Sequence, residues 1–311
     1  MINVNNIKKI YLIFFFILSI NANAVENSIV FKVNNEIITS LDIDNEIKYL
    51  KILNPTIKNL DKKTILKIGK NSIIREKIKK IEIENNSRNL DINKDYLNKL
   101  LENIYLNINL KSIEEFEKYL LINNLNIQFI NEKISIEALW NNLIFSKFSS
   151  KLKINKEDLK KEIMINKNKV AKSYDLLEIV FDISTLNELD NKYQIIKKDI
   201  EAKGFSNAAS IHSISDTSKI GGKLGWIDES AINKKIKKEI ALLNDGDYSK
   251  PIIIPGGALI IKLNKTKETK IKLNLNKELE KIIKIERNRQ LNQLSKLYYN
   301  KIKKNIIIDE L

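Results

Sequence analysis

The sequence contains no cysteine, one histidine and three prolines among its 311 residues. The absence of cysteine excludes disulfide bonds, thiol catalysis and metal–thiolate sites, so stability must come from packing. The single histidine, His212, argues against a histidine-rich zinc site and against a Ser-His-Asp triad, because most hydrolase mechanisms need an imidazole base. We therefore expect neither a metal ion nor another cofactor.

Long hydrophobic runs are absent except near the N-terminus. Lys8 and Lys9 precede an apolar stretch at 10–20, and small residues follow up to Ala24. This order is typical of a secretory signal, and its apolar part is much shorter than the roughly 20 residues of a membrane span. We expect cleavage between Ala24 and Val25 and a periplasmic protein without stable membrane insertion. An uncleaved membrane anchor is the alternative.

The charge is strongly one-sided, at +15, and falls to +13 if Lys8 and Lys9 leave with the signal. Because the basic residues are nearly all lysines spread along the chain, we expect a solvated basic surface and no nucleic-acid partner. Attraction to acidic unfolded chains or to anionic lipid head groups is the other interpretation.

Residues 40–165 have the pattern of a helical module. A hairpin is predicted at 29–38, with an Asn pair in the turn. Apolar residues then recur at helical spacing, and polar residues suited to helix N-caps precede several of the segments. The predicted caps are Thr39 or Ser40, Asn93, Ser112 with Glu115, Asn126 and Asn155. Amphipathic helices with almost no proline or glycine favour a packed helical domain.

Most of the eight glycines lie between residues 204 and 257, where the pattern changes. The order of predicted elements across 174–263 is β-α-α-β-α-β-β, which indicates a small α/β domain. A polar linker follows residue 266, then an amphipathic helix at 276–303 and a strand at 306–308. This helix must bury its apolar stripe, and the helical module offers the large apolar surface. The sequence therefore predicts an α+β protein whose α/β domain is an insertion.

Several motifs resemble those of known exported folding factors. The motifs are VNNEIIT at 33–39, NLDI at 89–92, SIEEF at 112–116, NLNIQ at 124–128, GGKLGW at 221–226, NDGDYSKP at 244–251 and GALIIKL at 257–263. The first four resemble the N-terminal chaperone domain of the SurA family. The last three resemble a parvulin-type peptidyl-prolyl isomerase domain. The chain also resembles the wider group of exported parvulin foldases, but its C-terminal helix and strand favour the SurA-like arrangement.

The resemblance implies four segments. They are a signal peptide at 1–24, a SurA-like helical chaperone domain at 25–168, a parvulin-like domain at 172–266, and a C-terminal helix and strand at 274–311 that return to the helical domain. SurA-like proteins often carry two parvulin domains, and here one fits.

The resemblance also implies a site. A parvulin holds proline in an apolar pocket beside two facing histidines and an Asp or Cys. The two histidine positions fall at Glu178 and Leu259, and the third polar position falls nearest to Asp216 or Thr217. The pocket residues align with Ile232 and Ile236, which we expect one helical turn apart. These two isoleucines are alternatively plain core residues. Because neither histidine is present, we expect a degenerate site, with His212 in a structural role.

Three functions remain open at this point. The leading hypothesis is a periplasmic chaperone that binds unfolded or partly folded exported polypeptides, especially outer-membrane β-barrel proteins. The second is an active prolyl isomerase that uses Glu178 and Asp216 as a changed polar set. The third is a lipid-facing role with an uncleaved signal.

Overall fold

The computed structural model describes residues 27–86, 91–165, 171–183, 185–269 and 275–311. The expected signal peptide and its cleavage site at Ala24 and Val25 lie outside these residues, as does the linker at 270–274. No helix in the described ranges combines the length and the apolar character needed to cross a membrane.

A β-hairpin opens the described chain. Strand β1 (Ile29–Val33) pairs antiparallel with β2 (Glu36–Thr39), and Asn34 in the turn has φ of +50°. Asparagine tolerates this left-handed conformation better than most residues. The hairpin predicted from the Asn pair is confirmed.

Six helices follow the hairpin within the described residues. They are α1 (Ser40–Leu53), α2 (Lys62–Asn86), α3 (Lys94–Asn107), α4 (Ile113–Ile122), α5 (Ile127–Phe148) and α6 (Lys156–Ile165). At the start of α1, the Thr39 hydroxyl accepts from the Asp42 N–H at 3.2 Å and the Asp42 carboxylate accepts from the Thr39 N–H at 2.8 Å. This reciprocal capping box satisfies two backbone donors that the helix leaves free. We call β1 to α6 the helical module.

The caps at the later helices follow the sequence with one shift. Asn126 accepts from the Phe129 N–H at 2.8 Å and begins α5 as predicted. Ser112 accepts from the Glu115 N–H, but the Glu115 carboxylate accepts from the N–H of Lys111 and not from that of Ser112. The second hydrogen bond of the predicted capping box at α4 therefore comes from Lys111, one residue before the expected donor Ser112.

A second unit follows the helical module, and we call it the α/β unit (171–269). Its elements are β3 (Ala171–Phe181), α7 (Leu186–Lys203), α8 (Phe205–His212), β4 (Lys223–Asp228), α9 (Lys234–Ile240), β5 (Ile252–Ile254) and β6 (Gly257–Thr269). The strands form an antiparallel sheet in the order β4-β3-β6-β5. Helices α7 and α8 pack on one face of this sheet and α9 on the other. The element order is the predicted one.

The last helix, α10 (Leu275–Lys303), packs on the helical module, where it contacts α2, α5 and α6. Trp140 of α5 is fully buried, stacks on Tyr298 and donates to the Ser295 hydroxyl at 2.8 Å. The final strand β7 (Ile308–Glu310) then pairs with β1, in the sheet order β2-β1-β7. The predicted α+β class is confirmed.

Several element boundaries differ from those predicted. Strand β6 runs to Thr269, so the expected linker begins later than residue 266, and β7 begins two residues after the predicted strand at 306–308. Helix α9 begins at Lys234 rather than at Ile232. The Asn233 side chain accepts from the Ile236 N–H at 2.9 Å and acts as the N-cap, which leaves Ile232 in extended conformation outside the helix.

Candidate functional site

One cleft contains all the residues that the sequence assigned to the site. It has a volume of about 500 Å³ and lies between the α9 face of the α/β sheet and helix α10. Glu178, Asp216, Leu259, Ile232 and Ile236 all line it. The topology explains this, because alternate residues of β3 and β6 face the same side of the sheet and α9 packs on that side.

Glu178 replaces the expected imidazole on β3 with a carboxylate that is already hydrogen-bonded. It accepts from the Ser215 hydroxyl at 2.6 Å and from the Thr217 hydroxyl at 2.9 Å. Both hydroxyls belong to the loop that follows α8, and the Glu178 N–H donates to the Gly222 carbonyl at 2.8 Å. The Glu178 carboxylate therefore holds this loop against the sheet through hydrogen bonds to two of its hydroxyls.

Leu259 lies on the neighbouring strand, where β6 pairs it with Val180. Its side chain is 5% exposed and packs in an apolar cluster with Leu176, Val180 and Ile261. A leucine has no polar atom to exchange a proton or a hydrogen bond with a substrate amide. This position contributes only apolar surface to the cleft.

Asp216 lies in a short 3₁₀ turn (Asp216–Ile220) and faces the helical module. Its carboxylate accepts from the Lys79 ammonium of α2 at 2.8 Å. Lys79 is almost fully buried and also binds Glu137 of α5 at 2.6 Å. The third polar position of the site is therefore engaged in an ion pair between the two units.

Ile232 and Ile236 flank the floor of the cleft. They do not lie one turn apart on a helix, as the sequence predicted, because α9 begins after Ile232. Both side chains are half-buried against the apolar cluster that includes Leu259 and Ile240. The floor is apolar and aliphatic.

His212 ends α8 and does not line this cleft. Its Nε2 atom lies 2.6 Å from the Asp199 carboxylate, and the side chain borders a different cavity of about 820 Å³ between α8 and α2. Burial lowers the pKa of His212 below its ordinary value, although the Asp199 carboxylate favours the protonated form. As His212 is the sequence's single histidine, the cleft cannot hold a pair of facing imidazoles.

A network of charges, in which Lys79 is the buried member, holds the rim of the cleft to the helical module. Lys219 binds Glu137 at 2.7 Å, and the Arg75 guanidinium donates to the carbonyls of Ser213 and Ser215, both at 3.2 Å. Burial opposes ionisation of Glu137, but Lys219 and Lys79 outweigh it and hold the pKa of Glu137 well below its usual range. Burial likewise opposes the charge on Lys219, and Glu137 raises its pKa. These contacts fix the loop that carries Asp216.

A second charged cluster lies deeper in the helical module. Lys133 of α5 contacts the carboxylates of Glu46 and Glu76, the latter at 2.5 Å, and the Ser72 hydroxyl donates to Glu46 at 2.5 Å. Glu46 is fully buried and Lys133 is 3% exposed. Burial alone would raise the pKa of Glu46, but the adjacent Lys133 lowers it. This cluster joins α1, α2 and α5.

The two charged clusters and the α10 side of the cleft were not predicted from the sequence. A signal for α10 existed, because the segment 288–293 reads NRQLNQ, a concentration of amide side chains on an otherwise apolar-striped helix. No comparable signal pairs Lys79 with Asp216, since the two residues are 137 positions apart. Among the described residues, no group of three or more His, Cys, Asp or Glu is placed to hold a metal ion.

Comparisons with known proteins find similarity to one family model and to one curated protein. The family model described as rotamase, PPIC-type PPIASE domain, matches residues 177–265. Chaperone SurA of Pseudomonas aeruginosa is 20% identical over 168 residues, which cover 50% of this chain and 40% of that protein. The match thus spans less than half the length of this curated relative.

Two solved structures are similar along most of the chain. One comes from a study of PEB4 and Cj1289, described as two structurally related SurA-like chaperones in Campylobacter jejuni. It is 17% identical, the alignment covers 92% of this chain and 100% of that chain, and the TM-score is 0.37. The other is the peptidylprolyl isomerase PrsA of Bacillus cereus, with 17% identity, coverage of 90% and 92%, and a TM-score of 0.29. Residues 177–265 thus match the model of a parvulin-type domain, and half of the chain is similar to chaperone SurA.

Proposed function

We propose that this protein is an exported chaperone that holds unfolded outer-membrane polypeptides, and that its parvulin domain binds peptide without efficient prolyl isomerisation. The observation that carries the proposal is the cleft, which pairs an apolar floor with a site that contains no imidazole. A periplasmic location after cleavage between Ala24 and Val25 belongs to the same proposal. So does the division into a helical chaperone domain at 25–168, a parvulin domain at 172–266 and a returning segment at 274–311.

The loss of isomerisation follows from the chemistry of the cleft. Rotation about a prolyl bond must overcome a barrier of roughly 20 kcal/mol because amide resonance is broken. A non-covalent site lowers this barrier by desolvating and distorting the amide. Both hydroxyls that donate to Glu178 bind the same oxygen, Oε1, and a carboxylate has no N–H to donate to the amide, while Leu259 is apolar. The apolar floor can still bind an apolar side chain, so the cleft retains peptide binding without efficient isomerisation.

Exposed apolar side chains elsewhere support a holding role. Leu121 and Ile122 at the end of α4 are 66% and 80% exposed, and Leu242 beyond α9 is 79% exposed. An unfolded chain offers many apolar segments, and several weak contacts on one protein raise the overall affinity through effective concentration.

Light scattering tests the holding function. A β-barrel membrane protein is diluted from urea with and without the mature protein, and an equal mass of serum albumin is the control. We expect scattering to fall as the molar ratio approaches one. Equal scattering in all three samples would eliminate the chaperone proposal.

A working isomerase is the second candidate, because Glu178, Ser215 and Thr217 form a polar cluster beside the apolar floor. A protease-coupled assay on a prolyl peptide separates the candidates. We expect the rate to equal the uncatalysed rate. A clear acceleration that Glu178→Gln abolishes would instead establish an isomerase with a changed polar set.

Mass spectrometry of the exported protein tests the location. A mature N-terminus at Val25 is expected. An intact N-terminus in the membrane fraction would favour the lipid-anchored alternative.

A further inference from the structure

The cleft has two chemically different walls, and the second wall does not belong to the parvulin domain. The first wall is the apolar sheet face with α9. The second is α10, which presents amide side chains to the cleft: Asn288, Asn292, Gln293 and Asn300. Asn288 and Asn292 are exposed, and Gln293 and Asn300 are half-buried. Within the described part of the chain, none of these four side chains forms a hydrogen bond.

Carboxamides suit the backbone of an extended peptide. Each offers a carbonyl acceptor and two N–H donors, so it can pair with either a backbone N–H or a backbone carbonyl. Twelve residues separate Asn288 from Asn300, which is about 18 Å along a helix. An extended chain rises about 3.3 Å per residue, so this wall matches about five residues of peptide.

The charge of the lining narrows the ligand. Arg75, Lys79, Arg289 and Lys296 line the cleft with two carboxylates, Glu178 and Asp216. Arg289 is paired with Glu286, and Lys79 with Asp216, whereas Lys296 makes no ion pair within the described ranges. The cationic excess favours a neutral or acidic segment over a basic one.

The two walls are held in a fixed relation before any ligand arrives. The loop at the rim of the sheet face is bound to α2 by Arg75 and Lys79 and to α5 through the Lys219–Glu137 pair. Helix α10 packs on the same α2 and α5. A preformed slot avoids part of the entropy cost of ordering the binding site.

We propose that this slot binds a short extended segment of unfolded polypeptide, neutral or acidic in charge, with apolar side chains on the sheet wall and its backbone against the amides of α10. The proposal rests on the chaperone function proposed above and names the part of the client that enters the parvulin domain. The α10 amides are then binding residues supplied by the helical side of the molecule.

Site-specific cross-linking tests the location of the client. The sequence has no cysteine, so Asn292→Cys provides a unique attachment point for a benzophenone label. Asn191→Cys, an exposed asparagine on α7 behind the opposite sheet face, is the matched control. We expect an unfolded β-barrel client to cross-link at position 292 several-fold more than at 191. Equal yields would overturn the proposal, and a cross-link between two copies of the protein at 292 would make a second copy the occupant and overturn it too.

Binding of defined peptides tests the chemistry. The probe is a fluorescent peptide of roughly ten residues with alternating apolar residues, one proline and two glutamates, measured by anisotropy. We expect Asn288→Ala/Asn292→Ala to weaken its Kd roughly ten-fold, as for the loss of two hydrogen bonds, with an unchanged circular dichroism spectrum. Lysines in place of the glutamates should also weaken binding. Unchanged affinity in the double variant would refute the role of α10.

The aggregation assay separates this proposal from the chaperone function. If the protein suppresses aggregation but no client cross-links at position 292, the chaperone function is supported and the binding slot is refuted. If peptide binding depends on Asn288 and Asn292 but aggregation is unchanged, the binding slot is supported and the chaperone function is refuted.

Discussion

Replacement of Lys133 by methionine should destabilise the helical module strongly. Methionine keeps most of the apolar stem but removes the ammonium that neutralises Glu46 and Glu76. Glu46 has no solvent exposure, so its charge would keep only the Ser72 hydroxyl as a donor. Removing one partner of a buried ion pair typically costs about 3–5 kcal/mol. With a urea m-value of about 2 kcal/mol/M, the midpoint should fall by about 2 M.

The loss of stability in Lys133→Met should depend on pH, because the substitution makes the protonated form of Glu46 more favourable than it is in the wild type. In the wild type, Lys133 holds the pKa of Glu46 below its ordinary value despite burial, so this contribution to stability is present above about pH 4.3 and fades only at lower pH. In the variant, burial acts without the cation and raises the pKa of Glu46. The penalty should therefore be largest near neutral pH and shrink as pH falls toward about 4.

The two tryptophans make the measurement specific to one unit. Trp140 is buried in α5, and Trp226 is half-exposed on β4. A Trp226→Phe background leaves Trp140 as the fluorescent reporter of the helical module. The triple variant Glu46→Gln/Glu76→Gln/Lys133→Met, which leaves no charge in the cluster, should recover most of the lost stability. A loss below about 1 kcal/mol, or one that is constant between about pH 7 and 4, would refute this reasoning.

Three further predictions follow from local geometry. Gly222→Ala should destabilise the α/β unit more than Gly246→Ala in thermal melts. Both glycines have positive φ, and a side chain in that conformation costs about 1–2 kcal/mol. At Gly222 the new Cβ would in addition lie 2.3 Å from the backbone oxygen of Glu178, whereas at Gly246 it would meet no atom within 4 Å. Equal melting temperatures for the two variants would contradict the clash. The single histidine should titrate by NMR below its ordinary value of about 6.5, and further below in Asp199→Asn, which lacks the carboxylate that favours the protonated form. A higher value in that variant than in the wild type would show that Asp199 does not raise the pKa of His212. Thr39→Ala should cost about 1 kcal/mol in urea unfolding and Thr39→Ser much less, since serine retains the capping hydroxyl; equal losses would exclude the cap as the cause.

The helices were predictable because two local signals agreed. Apolar residues at helical spacing gave the bodies of α1 to α5, and short polar side chains gave their starts, as Asn126 does for α5. The start of α9 was missed although its signal was local: Asn233 is as good a cap as Asn126, but Ile232 fits the apolar spacing of the helix that follows. Where periodicity and capping disagree by a residue, the hydrogen bond to the cap decides the boundary.

The composition of the cleft was half predictable. Glu178 and Leu259 could be placed from the resemblance of their strands, and the antiparallel pairing of β3 and β6 brings them to one face. The α10 wall depends on how two distant segments dock, and local pattern contains no information on that. The buried charges were invisible for a related reason: Glu46 looks like an ordinary polar interruption of an apolar stripe until its partner Lys133, from another helix, is known.

The packing of α10 determines the order in which this chain can mature. The pocket around Trp140 is closed by Ser295 and Tyr298, about half the chain later, and β1 receives its second neighbour only from β7. A chain synthesised from its N-terminus must therefore reach residue 310 before the helical module is complete. Closing so long a loop costs only slightly more conformational entropy than closing a shorter one, since that cost grows with the logarithm of length. During synthesis, the first helices expose the apolar surface that α10 will cover, and the protein is for that interval in the same condition as the clients we propose for it.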